Sequence, residues 1–392
     1  MTTTINNEHK KLNVPNVRFP EFQGEWEKCK LRDIANITGG YAFKSDTLNS
    51  IGGKYQVVKM GNLYQNQLDL HRSPSYTDIL TSKAENVILR KGDIAITLTG
   101  TNNKRDFGYT YIFNDEKNLL LNQRCGLIRT TGNPYFLSCL LKTYAFLNQF
   151  FESATGGTGN QANVSTKAME MFSVNIPSLK EQKKIGELMA LLDERIATQN
   201  KIIEDLKKLK SAISESLFKG VKGDFVMLSE VCEIVKGKQI NGEFLSESGT
   251  YYVMNGGTEP SGYNEDYNVE ANTISISEGG NSCGYVQFNT LPFWSGGHCY
   301  TIQEIADNVD NRYLYHYLKA KEDAIMKLRI GSGLPNIQKK DLAMFKIKIP
   351  PTEQQKTIST FLSSLERKVE IEEIITSAIL KEKQYLLRQM FI

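Results

Sequence analysis

Polar loops rich in amide and cationic side chains are the features of this sequence that could do chemistry. The densest is the TGTNNKR turn at 99–105, and Asn122-Gln123-Arg124 adds two amides and a guanidinium. Arginine binds guanine through two hydrogen bonds in the DNA major groove, and asparagine and glutamine bind adenine in the same way. These loops predict contacts with base edges, although any hydrophilic surface also presents such residues.

The C-terminal half contains comparable loops at 236–239, 278–282 and 295–298, together with Asn255. His298 follows two glycines, so we expect it to be exposed and able to donate to a phosphate or a base. Loop position and residue type together give one set of candidate DNA-contacting residues: Lys44, Lys59, Asn62, Thr99, Asn102, Asn103, Lys104, Arg105, Asn122, Gln123, Arg124, Asn160, Lys236, Lys238, Gln239, Asn255, Asn281, Ser282, His298, Asn336 and Lys339.

Catalytic motifs are missing. No GxxxxGK[ST] phosphate-binding loop occurs, and the glycine runs at 156–159 and 279–280 lack GxGxxG spacing, so they are either backbone loops for phosphate or simple turns. The segment Asn133-Pro134-Tyr135-Phe136 resembles the NPPY element of amino-methylating DNA methyltransferases without its second proline. The four histidines form no HExxH motif, and the six cysteines form no CxxC pair. We therefore predict a chain with no catalytic residues, no metal site and no bound cofactor.

The elements that must position these loops are written twice in the chain. Residues 171–218 align with residues 344–391 at a constant shift of 173, so that Ile176-Pro177 meets Ile349-Pro350 and Phe218 meets Phe391. Upstream the repeat is weaker and gapped: residues 31–34 resemble 228–231, residues 93–96 resemble 273–276, and Arg124-Cys125 parallels His298-Cys299. Short apolar strands and one or two helices in each repeat predict a mixed α/β (α+β) fold.

After each proline, apolar residues recur three and four apart over about 40 residues without another proline, which predicts two helices about 60 Å long. Only the other helix is long enough to cover each apolar stripe, so an antiparallel coiled coil is predicted. The alternative is that each helix packs on its own domain or on a second chain. Gln199 and Arg195 interrupt the first seam, which suits an imperfect coiled coil whose polar positions fix its register. The predicted seam and partner residues are Ile185, Leu192, Leu206, Leu209, Ile213, Ile358, Leu365, Val369, Ile379 and Leu386.

Composition and charge exclude some classes of protein. With 392 residues, 40% hydrophobic and 23% charged, the chain is long enough for two or three cores and is not disordered. The amino terminus lacks the apolar core of a signal peptide, and residues 135–151 are too polar for a membrane span, so a cytoplasmic location is expected. The net charge of +3 is divided unevenly: residues 13–177 have 18 basic and 14 acidic residues (+4), and residues 220–351 have 12 and 16 (−4).

Two variable units, each followed by a long helix that opens with an IP-x-x-x-x-QK or QQ element, resemble the specificity subunit of type I restriction-modification systems. The elements here are Ile176-Pro177 with Gln182-Lys183, and Ile349-Pro350 with Gln354-Gln355. The opening segment 17–22 (VRFPEF), the turn 39–43 (GGYAF) and the final 388–391 (RQMF) are also similar to that family. The resemblance covers nearly the whole chain.

The resemblance implies two target recognition domains, at 13–178 and 220–351, and two conserved helices, at 179–219 and 352–392. Each domain would read one half of a split double-stranded DNA target, and the helices would set the spacer and hold two modification subunits. Those subunits would use S-adenosylmethionine to methylate adenine, and restriction subunits using ATP and Mg²⁺ would join them. The acidic balance of the second domain further predicts weak DNA binding by the chain alone.

Two other readings stay open at this point. One is a structural adaptor whose helices pair with another chain and whose domains bind protein. The other is a single-chain restriction or methylation enzyme, which the missing motifs disfavour.

Overall fold

The computed structural model of the chain describes residues 13–101, 103–115, 118–156, 161–331, 333 and 335–392, apart from the Phe244 side chain. Two compact units divide the chain. The first unit runs to Thr198 and includes Thr376–Ile392, and the second unit is Gln199–Ile375. Each unit therefore holds one globular domain and one half of each long helix.

The first domain is built from short strands: β1 (Glu27–Lys30), β2 (Ala35–Gly39), β3 (Tyr55–Val58), β4 (Leu63–Tyr64), β5 (Gln67–Leu68), β6 (Tyr76–Thr77), β7 (Ile94–Thr97), β8 (Thr99–Thr101), β9 (Thr110–Ile112), β10 (Leu119–Leu121), β11 (Cys125–Thr130), β12 (Thr155–Gly156), β13 (Gln161–Asn163) and β14 (Ser173–Ile176). Its helices are α1 (Leu31–Ile34), α2 (Ser82–Glu85), α3 (Pro134–Leu140), α4 (Tyr144–Glu152) and α5 (Thr166–Glu170), followed by the long α6 (Leu179–Gly220).

The second domain contains β15 (Asp224–Met227), β16 (Glu233–Lys236), β17 (Tyr251–Met254), β18 (Tyr263–Asn264), β19 (Thr273–Ser277), β20 (Val286–Asn289), β21 (Trp294–Ser295), β22 (Cys299–Gln303) and β23 (Lys346–Ile349). Its helices are α7 (Asn311–Ala320), α8 (Glu322–Met326) and α9 (Lys339–Ala343), and the long α10 (Thr352–Gln389) follows. Helices α5 and α9, strands β14 and β23, and the first residues of α6 and α10 all differ by 173 in number, which confirms the repeat.

Sheet topology repeats as well. A four-stranded antiparallel sheet has the order β2-β11-β7-β9 in the first domain and β16-β22-β19-β20 in the second. A three-stranded sheet with one parallel pair lies beside it, in the order β10-β3-β6 or β18-β17-β21. A two-stranded ribbon, β1-β14 or β15-β23, precedes each long helix. The remaining sheets, β12-β13-β8 and β4-β5, belong to the first domain.

The repeated glutamine of each IP-x-x-x-x-Q element, Gln182 or Gln355, anchors its long helix to its domain. Gln355 is fully buried, donates to the Pro350 carbonyl (2.8 Å) and accepts from the amide of Asp310, which caps α7 (2.8 Å). Gln182 makes the same contacts with the Pro177 carbonyl (3.0 Å) and the amide of Asn133, which caps α3 (3.3 Å). The motif is therefore a joint between helix and domain.

Within each unit the two long helices pack on the domain core. In the first unit, Ile185 from the start of α6 and Phe391 after the end of α10 join Trp26 and Phe136. In the second unit, Phe218 from the end of α6 and Ile358 from the start of α10 join Tyr313. The start of one helix thus meets the end of the other, which confirms the antiparallel pairing. No helix in the described part of the chain has the length and apolar character needed to cross a membrane.

The seam of α6 differs from the predicted one at Leu209. Ile202 and Leu209 are 39% and 52% exposed, whereas Gln199 and Ile203 are buried. The buried and half-buried positions at 192, 196, 199, 203, 206, 210 and 213 are alternately four and three residues apart, which is the spacing of a heptad repeat. The polar Gln199 is therefore a member of the seam, and Leu209, which we predicted to lie in the seam, is exposed.

The other predicted seam residues are buried or half-buried. Ile185, Ile358 and Val369 are buried, and those that are half-buried are Leu192, Leu206, Ile213, Leu365, Ile379 and Leu386. Polar seam residues find partners on the opposite helix: Gln199 donates to Glu372, its own equivalent by the 173 shift. Lys210 pairs with Glu366 (2.6 Å) in the second unit, and the equivalent Lys383 pairs with Asp193 in the first. Such polar pairs favour one register of a coiled coil over its neighbours.

Candidate nucleic-acid interface

In the first domain, the ends of β2 and β7 meet the beginning of β11 at one edge of the four-stranded sheet. The amide of Gly40 donates to the Cys125 carbonyl (2.9 Å), and the amide of Leu98 donates to the Arg124 carbonyl (2.9 Å). A Cβ atom at Gly40 would overlap the backbone carbonyl of Asn122, so only glycine allows this approach. The loops after β2, after β7 and before β11 are thereby brought together. We call this place the first edge.

The second domain repeats these hydrogen bonds at the ends of β16 and β19 and the beginning of β22. The amide of Gly237 donates to the Cys299 carbonyl (2.8 Å), and that of Glu278 donates to the His298 carbonyl (2.9 Å). A Cβ atom at Gly237 would overlap the carbonyl of Gly296. We call this place the second edge.

The shared bonds give a residue-by-residue equivalence between the two edges. Gly40 corresponds to Gly237, and Leu98 corresponds to Glu278. Arg124-Cys125 corresponds to His298-Cys299, as the sequence repeat predicts. The backbone frame is the same, and the side chains placed on it differ.

The first edge presents cationic and amide groups to solvent. Gln123 and Arg124 are exposed beside the strand ends, and Asn103, Lys104 and Arg105 are exposed in the turn after β8. Arg105 has a φ of +46°, and its guanidinium lies 5.1 Å from the centroid of the Phe151 ring. The turn is held by the Asp106 carboxylate, which accepts from the Thr101 amide (2.6 Å).

Several candidates of the first domain are differently placed. The buried Asn62 side chain donates to the carbonyls of Asp69 (2.8 Å) and Arg72 (2.7 Å), so it holds its own loop together and offers no free amide to a base. Thr99 is 8% exposed and pairs with β13, which makes it a strand residue. Lys59 is half-buried and donates to Ser75 Oγ (2.8 Å).

Lys44 is exposed in the loop after the first edge, and Asn122 is half-buried within that edge. Asn102 and Asn160 lie outside the described residues. The remaining candidates of the first domain lie in two loops, 122–124 at the first edge and 103–105 after β8.

Most candidates of the second domain gather around the second edge. Lys236, Lys238, Gln239 and His298 are exposed there. The half-buried Asn255 accepts from the His298 amide (3.1 Å) and so holds that loop.

A loop from later in the chain also reaches this edge. Asn336 pairs with Gly279 in an isolated bridge, beside the short turn that carries Asn281 and Ser282. Lys339 is exposed at the first turn of α9. Loops distant in sequence are thus assembled at one place.

Sequence reasoning missed the residues that assemble the second edge. The buried Glu278 carboxylate accepts from Lys236 Nζ (2.6 Å) and from the Tyr300 hydroxyl (3.1 Å). An acidic residue in a predicted DNA-reading loop was the available signal, because a carboxylate so placed needs cationic or hydroxyl partners.

The chemistry of the buried groups is that of packing. Burial raises the pKa of the Cys125 thiol to about 12 and that of Cys299 to about 11, so both stay protonated and are not activated nucleophiles. Among the residues that the structure describes, no three His, Cys, Asp or Glu side chains are grouped so as to hold a metal ion.

A buried histidine joins α7 to the long helices in the second unit. His316 Nε2 lies 3.0 Å from Ser363 Oγ, and Glu366 accepts from both Tyr315 (3.1 Å) and Lys210 (2.6 Å). Burial lowers the pKa of His316 to about 4, against an opposing effect of Glu366, so the imidazole is neutral at physiological pH. This cluster stabilises the fold rather than forming an exposed site.

Comparisons with known proteins agree with this geometry. A family described as the type I restriction modification DNA specificity domain matches residues 23–208 and 221–381. A protein of Methanocaldococcus jannaschii named as the MjaX type I restriction enzyme specificity subunit is 24% identical over 418 residues, covering 97% of this chain and 96% of that protein. The EcoAI specificity subunit of Escherichia coli is 28% identical over 198 residues, covering 49% of this chain and 32% of that protein.

A solved structure shares the fold. The crystal structure of the type I restriction-modification S subunit from M. genitalium superposes with a TM-score of 0.67 at 18% identity, covering 97% of this chain and 99% of that one. Both halves of the chain match the family model, and the match spans both domains and most of both long helices. The chain belongs to the family of type I restriction-modification DNA specificity subunits.

Proposed function

We propose that this chain is the DNA-reading subunit of a type I restriction-modification complex, in which each edge reads one half of a bipartite double-stranded target. The observation that carries the proposal is the repeated frame: the same backbone hydrogen bonds hold loops of different composition at the same place in both domains. A repeated frame with different side chains suits two different half-sites, since base recognition depends on the side chains that reach the groove.

The chain itself performs no chemistry in this proposal. Burial keeps the Cys125 and Cys299 thiols protonated, which supports a structural role for both. S-adenosylmethionine would belong to the modification subunits, and ATP and Mg²⁺ to the restriction subunits. Family membership supports assembly with such partners.

The long helices are the proposed seat of two modification subunits and the proposed ruler for the spacer between half-sites. Large apolar side chains are exposed along both helices, where packing within this chain does not cover them. They are Leu179, Leu191, Leu380 and Tyr385 in the first unit, and Ile202, Leu209, Phe361 and Ile374 in the second. Exposed apolar positions on a rigid surface favour a protein partner.

Equilibrium binding of selected duplexes tests the proposal. The chain would be purified with its modification subunits, and bound duplexes would be recovered from a random pool at several salt concentrations. We expect a split consensus with a fixed spacer, bound far more weakly by the chain alone. Binding that shows no sequence preference, or a single undivided consensus, would contradict it and favour an adaptor.

A further inference from the structure

The second domain buries a carboxylate beneath its reading edge, where the first domain has a leucine. Glu278 Oε1 accepts from Lys236 Nζ (2.6 Å) and the Tyr300 hydroxyl (3.1 Å), and Oε2 lies 3.5 Å from His298 Nδ1. The Glu278 side chain is 9% exposed, whereas those of Lys236 and His298 are 52% and 62% exposed. A buried acid thus sits under two exposed candidate readers.

The backbone of Glu278 fixes where that carboxylate lies. Its amide donates to the His298 carbonyl (2.9 Å), and its carbonyl accepts from the Ile337 amide (2.8 Å) and the Cys283 thiol (3.1 Å). Burial, and then the nearby Glu278 carboxylate, raise the pKa of Tyr300, so its hydroxyl stays a donor. The fixed backbone, the burial of the side chain and the Tyr300 hydroxyl, which is shared with the Ile337 carbonyl (3.1 Å), together restrict the movement of the Glu278 carboxylate.

The ion pair with Glu278 changes how Lys236 can bind DNA at the second edge. An unpaired exposed lysine swings freely and binds any phosphate, which raises affinity for all DNA equally. An ammonium anchored on a fixed carboxylate has its charge offset and its position restricted, while its remaining N–H groups point outward. A restricted donor favours a base acceptor at one place over phosphates at many places.

We propose that Glu278 is a specificity-determining positioning residue, which holds Lys236 for a base acceptor of the second half-site and suppresses its binding to phosphate. The inference rests on the proposed function. The equivalent residue of the first edge is the buried, apolar Leu98, which cannot form such an ion pair, so no equivalent carboxylate holds Arg124.

The test uses Glu278→Gln in the chain assembled with its modification subunits, because glutamine keeps the shape and removes the charge. Affinity would be measured for the cognate duplex and for an unrelated duplex across a salt series. We expect binding of unrelated DNA to strengthen severalfold and the ratio of cognate to unrelated affinity to fall about tenfold. The salt dependence of unrelated binding should steepen by about one phosphate contact.

Glu233→Gln is the matched control. Glu233 is exposed at the opposite end of strand β16 from Lys236, and the substitution removes the same charge. It should leave the ratio unchanged. In a Lys236→Met background, Glu278→Gln should have almost no further effect on the ratio.

Three outcomes overturn the inference: equal weakening of both duplexes with a lower melting temperature, an unchanged ratio, or a full effect that persists without Lys236. A wild-type complex with no bipartite preference would instead overturn the proposed function, so the two failures are distinguishable.

Discussion

The two edges share a backbone frame and differ in how they hold their side chains. The first edge is clamped by the apolar Leu98 and carries Arg124, whereas the second is clamped by the ionic contacts of Glu278 and carries His298. The domain around the first edge carries a balance of +4 and the other −4. The frame and the reading side chains are therefore separable: the frame depends on glycine and strand register, and the side chains can change without altering it.

The largest expected effect comes from breaking the frame itself. Gly237→Ala would force a Cβ atom into the Gly296 carbonyl, and Gly40→Ala would do the same to Asn122. Each change should cost about 3 kcal/mol at its own edge and lower binding to one half-site about a hundredfold. Binding to duplexes with one half-site scrambled checks this.

Gly39→Ala is the control for that prediction, because a Cβ atom there meets nothing within 4 Å. It should bind and melt like the wild type. If Gly237→Ala also behaved like the wild type, strand approach would not define the edge.

Removing single readers should sharpen the comparison. Arg124→Ala should cost about 1–3 kcal/mol at the first half-site and leave the second half-site unchanged, and His298→Ala should do the reverse to a smaller degree. Competition with single-base variants of each half-site would measure the loss. An equal loss at both half-sites would assign Arg124 to phosphate binding or folding instead.

Acid should destabilise the second unit more than the first. His316 has a folded-state pKa of about 4, below its unfolded value, so the unfolded chain gains a proton first as the pH falls below about 6.5. The contribution of His316 to the free energy of unfolding is therefore fully present above that pH. It is lost toward pH 4, with about 2 kcal/mol already lost at pH 5. The corresponding position on α3 is the buried Cys139, which does not titrate there.

Hydrogen exchange at pH 7.5 and pH 5, resolved by domain, would measure that difference. We expect the second unit to loosen in acid, and His316→Gln to remove most of the effect. Equal acid loss in both units would contradict the assignment to His316.

The smallest expected difference lies in the two equivalent ion pairs of the long helices. Lys210→Met removes the lysine partner of Glu366, whose side chain is only 17% exposed and lies beside Tyr315. Lys383→Met removes the lysine partner of Asp193, whose side chain is 50% exposed. A carboxylate that cannot return to water costs more, so we expect about 2 kcal/mol for the first change and less than about 1 kcal/mol for the second. Thermal unfolding of both variants checks the order, which a larger loss for Lys383→Met would reverse.

Sequence alone predicted the elements whose signals are local or repeated. The 173-residue shift aligned the two long helices, and the weaker, gapped repeat upstream of them paired Arg124 with His298, because similar residues recur in the same order. The burial of Gln199 within the seam was not predicted, since it depends on a hydrogen bond to Glu372 of the opposite helix. The partners of Asn62 and Glu278 could not be predicted, because they come from loops whose approach is fixed only by folding, although the acidic type of Glu278 indicated that it needs such partners.

A map of methylated adenines tests the central claim most directly. Cells would express the modification subunits with the wild-type chain, Gly40→Ala or Gly237→Ala, and every methylated adenine would be located. The account predicts a bipartite motif for the wild type, with one half lost or relaxed in Gly40→Ala and the opposite half in Gly237→Ala. A motif without two halves, or the same half affected by both variants, would contradict the claim that two equivalent edges read two different half-sites.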